Sequence, residues 1–144
     1  MKNLFSACLL GVNCKYNGEN NFRKDIYDIF IKEGGIPVCP EQLGGLPTPR
    51  LPASFYGGDG DLVLQNQAKI KQIETGKDVT EYFVKGAEET EKIIKDLSIE
   101  KVFFKEGSPS CGVNRVWFGK EKGKGSGVTS AKLKQLKIKL IPIE

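Results

Sequence analysis

Apolar residues along the chain fall into short runs set off by glycine and proline, with two longer stretches at helical spacing. Lys2 to Ala7 is mostly apolar and reads as a first strand that stops at Cys8. Leu9 to Glu19 carries glycines and polar turn formers and reads as a loop. Asn21 to Lys32 puts Phe22, Ile26, Ile29 and Phe30 on one face of a helix that Gly34-Gly35 ends. Ile36 to Cys39 is a short strand closed by Pro40. Residues 40–60 hold four prolines and five glycines and read as one long loop, the kind that often carries function. Within Asp61 to Thr75, Leu62, Val63 and Leu64 suggest a strand, continued by Ile70 and Ile73 as an outer hairpin or a short helix. Asp78 and Glu81 have the spacing of a capping box. Behind them Val79, Phe83, Ala87, Ile94 and Leu97 keep the helical period, with Glu88, Glu89, Glu91 and Lys92 facing outward. Lys101 to Lys105 is a strand, and Val116, Trp117 and Phe118 form a further apolar patch. Gly119 to Gly127, rich in glycine and lysine, reads as a mobile connection. Thr129 to Gln135 is a last helix and Ile138 to Ile143 a final strand.

This order predicts a single α/β domain over residues 1–144. It has a mainly parallel, Rossmann-like sheet, flanking helices and a long Pro/Gly-rich active-site loop. Ligands of such sheets gather at the carboxyl ends of the strands. The strands ending near Ala7, Cys39 and Lys105 each lead into a cysteine-bearing loop, so distant stretches of sequence are expected to meet at one edge.

Composition narrows the chemistry. The chain has 144 residues, four cysteines and no histidine. Proton transfer near neutral pH must therefore use carboxylates, thiols, lysines or water, and a transition-metal site must lean on thiolates. The net charge of +4 is spread thinly, which suits an anionic small molecule and argues against a nucleic-acid contact surface. Phe5-Ser6-Ala7-Cys8 has the look of a lipoprotein cleavage box. Only Met1 to Leu4 precede it, whereas a signal peptide needs about 7–15 apolar residues. No apolar stretch approaches the roughly 20 residues of a membrane helix. The expected compartment is the cytoplasm, where thiols stay reduced.

Cys8, Cys14, Cys39 and Cys111 include no C-x-x-C pair, so the spacing matches neither a zinc ribbon nor a thioredoxin-like motif. Each could simply be a small buried hydrophobe. Their recurrence after strands favours a shared thiolate site, and thiolates suit zinc and iron–sulfur clusters alike. Glu41, two residues beyond Cys39, is a candidate general acid or base. Arg50 has few local partners in the sequence and is either a phosphate or carboxylate clamp or a surface residue. Ser108 and Ser110 flank Pro109 beside Cys111, where they orient a substrate or merely shape a turn. Gly127 and Thr129 open the last helix, where backbone N–H groups can attract an anion.

Taken together, Ser6-Ala-Cys8-Leu-Leu-Gly11, Cys14-Lys-Tyr-Asn-Gly18, Pro37-Val-Cys39-Pro-Glu41, Gly44-Gly-Leu-Pro-Thr-Pro-Arg50, Gly76-Lys-Asp-Val-Thr80 and Ser108-Pro-Ser-Cys111-Gly resemble the bacterial thiouracil desulfidases, also called desulfurases. The resemblance runs from Ser6 into the last helix. It implies a [4Fe-4S] cluster on Cys8, Cys39 and Cys111 with one iron left open. It also implies non-redox removal of sulfur from a thiolated pyrimidine, either thiouracil or a 4-thiouridine nucleotide. Glu41 falls on the family's glutamate and Ser108 on its serine. Cys14 is an additional thiol that replaces Cys8 as ligand, closes the cluster as a fourth ligand, or helps accept sulfur. Arg50, Ser110, Gly127 and Thr129 are the expected substrate contacts. The competing expectation is a thiolate-metal module or sulfur carrier without turnover. The sequence sets no oligomeric state.

Overall fold

The computed structural model describes residues 2–144. Strand β1 (Asn3–Ser6) is fully buried and runs into a one-turn 3-10 helix, Ala7–Leu10, that carries Cys8. Helix α1 (Lys24–Glu33) leads to β2 (Ile36–Val38) and to the short helix α2 (Pro40–Leu43). Then follow β3 (Ala53–Tyr56), α3 (Gly60–Leu64), β4 (Lys69–Gln72) and the long α4 (Thr80–Leu97). The chain closes with β5 (Lys101–Lys105), β6 (Arg115–Phe118), β7 (Glu121–Lys124), α5 (Val128–Leu133) and β8 (Lys139–Ile143).

Strands β2, β1, β5 and β8 form a four-stranded sheet in that order, with every neighbouring pair parallel. Both faces are covered, as parallel sheets require. Leu4, Val38, Val102 and Phe104 pack with Ile94 of α4 and Leu133 of α5 on one side. Phe5 and Phe103 meet Ile26 of α1 on the other, their rings stacked at 4.8 Å. The alternation of Leu4 with Phe5, and of Phe103 with its neighbours, is the period-2 pattern of a strand buried on two faces. A third cluster, with Phe55, Val63, Ile70, Phe83, Val116 and Val128, lies under the antiparallel hairpins β3–β4 and β6–β7. Among the described residues, no helix is long and apolar enough to cross a membrane.

The α/β class and parallel sheet match the sequence reading; several local elements differ. Leu62 to Leu64 are helical, because Asp59 caps the segment by accepting the N–H groups of Asp61 and Leu62. Residues 40–60 are not a bare loop, since they contain α2 and β3. The segment read as mobile pairs as β7 against β6, with Lys122 opposite Trp117 and Gly123 opposite Val116. Helix α1 begins at Lys24, leaving Phe22 half exposed outside it. The capping box does not form as drawn: the Asp78 carboxylate accepts the Thr80 N–H at 2.9 Å and the Thr80 hydroxyl at 2.6 Å. Leu97 is exposed at the last turn of α4. Helix α2 docks on α4 through glycine: a Cβ on Gly44 or Gly86 would overlap the carbonyls of Tyr82 or Pro40. That close approach anchors the Cys39–Glu41 corner.

Candidate active site

The sheet order places β2 and β5 on opposite sides of β1, so the chain reverses its winding direction there. Ligand crevices form at such points, outside the carboxyl ends of the strands. A cavity of about 790 Å³ lies at this edge. Its wall includes Cys8, Cys14, Cys39, Cys111, Glu41, Arg50, Ser108 and Ser110. Eight of the ten residues singled out from the sequence therefore share one space; Gly127 and Thr129 do not line it.

The thiols are electrostatically unequal. Cys14, 2% exposed, interacts electrostatically with Cys8 and Cys39, and its backbone carbonyl accepts from the Cys39 sulfur at 3.8 Å. Its S–H partnership brings the Cys8 thiol down from 9.0 to about 7, helped by the Asn21 amide 3.4 Å from the sulfur and opposed by burial. Cys39 is lowered to about 7 by the same Cys14 contact, with further help from the Gln42 backbone N–H and the Arg50 guanidinium. Cys14 itself is pushed strongly upward by those hydrogen bonds and by burial, so it stays a thiol. Cys111 is also raised, chiefly by burial, with the Ser110 hydroxyl oxygen 3.7 Å from its sulfur.

Beside the thiols stands a carboxylate with both oxygens engaged. Glu41 Oε1 accepts from Arg50 Nε at 2.9 Å. Its Oε2 accepts from Ser110 Oγ at 2.9 Å and from Ser108 Oγ at 3.4 Å. Ser108 Oγ in turn accepts the backbone N–H groups of Ser110 and Cys111, both at 3.1 Å, so the serine shapes the very turn that presents Cys111. Glu106 closes the same loop from behind. Its buried carboxylate accepts the N–H groups of Val113 and Asn114.

Two expectations about substrate contacts need correction. Arg50 is not short of partners. Its Nη1 donates to the Pro47 carbonyl at 3.2 Å and the Thr48 hydroxyl at 3.0 Å, and its Nη2 donates to the Cys14 carbonyl at 2.9 Å. With the side chain 7% exposed, the fork is turned inward and saturated. The start of α5 is also closed to anions. The N–H groups of Gly127, Val128 and Thr129 donate to the carbonyls of Gly112, Pro109 and Ser110 at 2.7–3.0 Å. Gly127 is glycine because a Cβ there would stand 2.5 Å from the Ser110 carbonyl. Thr129 is buried, its hydroxyl without a partner. The helix start clamps the Cys111 loop instead of facing a ligand.

Sequence reasoning missed a basic wall. Lys15, Lys105 and Lys122 line the cavity, and none forms an ion pair among the described residues. The Lys105 ammonium is held below its ordinary range by burial, then by repulsion from Lys122 and Lys15. Lys122 reaches the wall from the β6–β7 hairpin, lying 5.8 Å from the Trp117 ring centroid. Lys105 was discoverable, since it ends a strand at the ligand-binding edge. Lys122 was not, because its segment carries no strand pattern.

Among the described residues, no group of three or more cysteine or acidic side chains is set to hold a single metal ion. A cubane cluster makes a different demand, with each thiolate on its own iron. Four thiols around one cavity, two of them poised to ionise, are a donor set of the right softness for iron and sulfide.

The pattern of the family described as 2-thiouracil desulfurase matches residues 4–144. The Bacillus subtilis (strain 168) protein YbbK, described as uncharacterized, is 42% identical over 141 residues, covering 96% of this chain and 93% of its own. Among solved structures, a [4Fe-4S]-dependent thiouracil desulfidase, TudS, superposes with a TM-score of 0.84 at 33% identity. That match covers 98% of this chain and 89% of the TudS chain.

Proposed function

The chain belongs to the 2-thiouracil desulfurase family, and on that premise we propose that it hydrolytically removes sulfur from a thiolated pyrimidine. The observation that carries the reading is the meeting of the thiols with the Glu41–Ser108–Ser110 network in one cavity. Cys8, Cys39 and Cys111 are the residues to hold a [4Fe-4S] cluster, which would supply a Lewis-acidic iron for the thiocarbonyl sulfur. Cys8 and Cys39 give up their protons most easily, and thiolates are the ligating form. Cys111 would lose its proton on binding, as coordinated thiols do. Three ligands leave one iron of the cluster open, so Cys14 would stay outside the ligand set as an additional thiol of the rim.

The chain's own groups then divide the work. Glu41 takes a proton from a water at Oε2, the oxygen that faces the serines. The water oxygen bonds to the ring carbon, the carbon–sulfur bond breaks, and sulfur leaves as hydrosulfide. The balance is thione plus water to carbonyl plus hydrogen sulfide, with no net change of oxidation state. Ser110, within reach of both Glu41 and Cys111, passes the proton toward the departing sulfur. Ser108 keeps the loop in shape while bonded to the same carboxylate. Lys15, Lys105 and Lys122 attract a negative group on the substrate, which favours a 4-thiouridine monophosphate over the free base. The bacterial cytoplasm, which keeps thiols reduced, is the compartment this chemistry needs.

Reconstitution with iron and sulfide without oxygen, followed by assay of 2-thiouracil and 4-thio-UMP, tests the reading. Sulfide release equal to the oxo-pyrimidine formed is the expected result. A loaded, brown protein that turns over neither compound would refute the assignment of substrate. Zinc with no acid-labile sulfide would refute the cofactor.

A further inference from the structure

The guanidinium of Arg50 touches three separate segments of the chain: the Cys14 loop, the Cys39–Glu41 corner and the Pro47–Thr48 turn. It meets the carboxylate of Glu41, the carbonyl of Pro47 with the hydroxyl of Thr48, the carbonyl of Cys14, and the sulfur of Cys39 at 3.9 Å. Its own backbone N–H donates to the Tyr16 carbonyl at 2.7 Å, two residues beyond Cys14. Two of these segments carry thiols, and the Cys39 segment carries the carboxylate as well. All of the guanidinium's nitrogens are in use, and the ion pair with Glu41 has side chains only 7% and 13% exposed.

We propose that Arg50 is a positioning residue that ties the Glu41 carboxylate and its Cys39 corner to the Cys14 loop, so that proton acceptor and thiol rim move as one rigid unit. The inference rests on the proposed role of Glu41 but makes a claim of its own about the thiols. Three features of the fork produce the effect. Its Nε–H occupies Oε1, which leaves Oε2 as the oxygen facing Ser110 and the cavity. Its Nη2 group fixes the Cys14 carbonyl, which also accepts from the Cys39 sulfur at 3.8 Å. Its planar, rigid geometry sets the angle between these bonds, which a lysine's single ammonium cannot reproduce. A clamp for substrate would need free donors, and this side chain has none to offer.

The test uses the reconstituted enzyme carrying Arg50→Lys and Arg50→Ala, with and without millimolar methylguanidinium. Removal of a group that orients metal ligands from outside typically lowers activity about 10- to 100-fold. The expected result is a loss of that size in kcat for both variants, with KM within about twofold of the parent. Methylguanidinium should restore part of the kcat of Arg50→Ala and none of Arg50→Lys, whose side chain fills the space. A rise in KM with kcat unchanged would overturn the proposal in favour of a substrate clamp. A lowered melting temperature with unchanged kinetics and no rescue would reduce Arg50 to a packing residue. The second readout does not depend on turnover. In the iron-free chain at a pH above 9.0, where the Cys39 thiol is ionised with or without the guanidinium, Cys39 of Arg50→Ala should react faster with iodoacetamide than in the parent, because the group packed against its sulfur is gone, and methylguanidinium should slow it again. Unchanged alkylation would sink the link to the thiol rim even if the enzyme proved to act on another substrate. Faster alkylation in a protein inactive on thiouracil would uphold the link and fault only the assigned reaction.

Discussion

Around one cavity, the Glu41–Arg50–serine network and the Lys15–Lys105–Lys122 wall treat charge in opposite ways. In the network every polar group has a partner inside the protein: carboxylate to guanidinium, carboxylate to hydroxyls, hydroxyl to backbone N–H. On the wall no ammonium has an ion-pair partner among the described residues, and Lys105 is disfavoured as a cation by burial and then by repulsion from Lys122 and Lys15, which Cys8 and Glu106 only partly offset. The first arrangement fixes geometry, because a satisfied buried network has one conformation to settle into. The second stores an unmet need for negative charge. The difference teaches which charged residues in a cavity build the site and which await a ligand. Partnering decides it, not charge or position.

The sharpest way to break this comparison is to remove the charge of Glu41 while keeping its shape. With Glu41→Gln, the reconstituted enzyme should lose about 10²- to 10⁴-fold in kcat, the usual weight of a general base. Its iron and sulfide content should stay near that of the parent, since the proposed ligands are untouched. A variant that instead lost iron but kept its rate per cluster would show that the network is scaffold and holds no proton acceptor.

The opposite side predicts a smaller and more selective effect. Lys105→Met or Lys122→Met removes one ammonium from the wall. A hydrogen bond to a charged group contributes about 1.5–3 kcal/mol, so KM for 4-thio-UMP should rise about 10- to 100-fold. KM for 2-thiouracil should change by less than about twofold, because the free base carries no phosphate to lose. Equal effects on both substrates would mean that the lysines act on the thiol centre, and the contrast between the two regions would collapse.

The sequence made these two regions legible to different degrees. The parallel sheet could be read because Leu4, Phe5, Val102, Phe103 and Phe104 are apolar on both faces. The convergence of Cys8, Cys39 and Cys111 followed, since each comes after a strand of that sheet. What could not be read was partnering across long separations. Arg50 bonds Glu41 nine residues back and Cys14 thirty-six back, and nothing local marks either contact. Gly127 looked like an anion-binding helix start, yet its real task is to let α5 approach the Ser110–Cys111 backbone. Lys122 sits in a strand whose glycine and lysine content follows loop chemistry, and only its pairing with Trp117 brings it to the cavity. Periodicity reports which face is buried. It says nothing of which polar groups meet once the faces are packed.

The smallest effect probes the thiol end itself and concerns acidity. In the iron-free chain the Cys8–Cys39 pair loses its first proton near 7 instead of 9.0, because the Cys14 S–H can donate to the thiolate formed. A thiol has one proton to donate, so Cys14 serves one thiolate at a time. The rate of alkylation should therefore show a first midpoint near pH 7, belonging to the Cys8–Cys39 pair. The sign of the stability effect follows from linkage. Between about pH 7 and 9.0 the unfolded chain holds more protons on this pair than the native one, by the one proton the pair has lost, so stability rises with pH. That contribution is complete above 9.0 and is lost as the pH falls through about 7. Cys14 and Cys111, whose acidity is shifted the other way, withdraw stability once the pH passes their unfolded value of 9.0. The melting temperature of the iron-free chain should thus climb from pH 7 to a maximum near 9 and then fall. Cys14→Val removes the donor, so the first alkylation midpoint should return toward 9.0 and the climb in melting temperature should flatten. A midpoint that stays near 7 in that variant would assign the acidity to Asn21, Arg50 and Lys105 instead, and would make the basic wall and the thiol end one electrostatic unit.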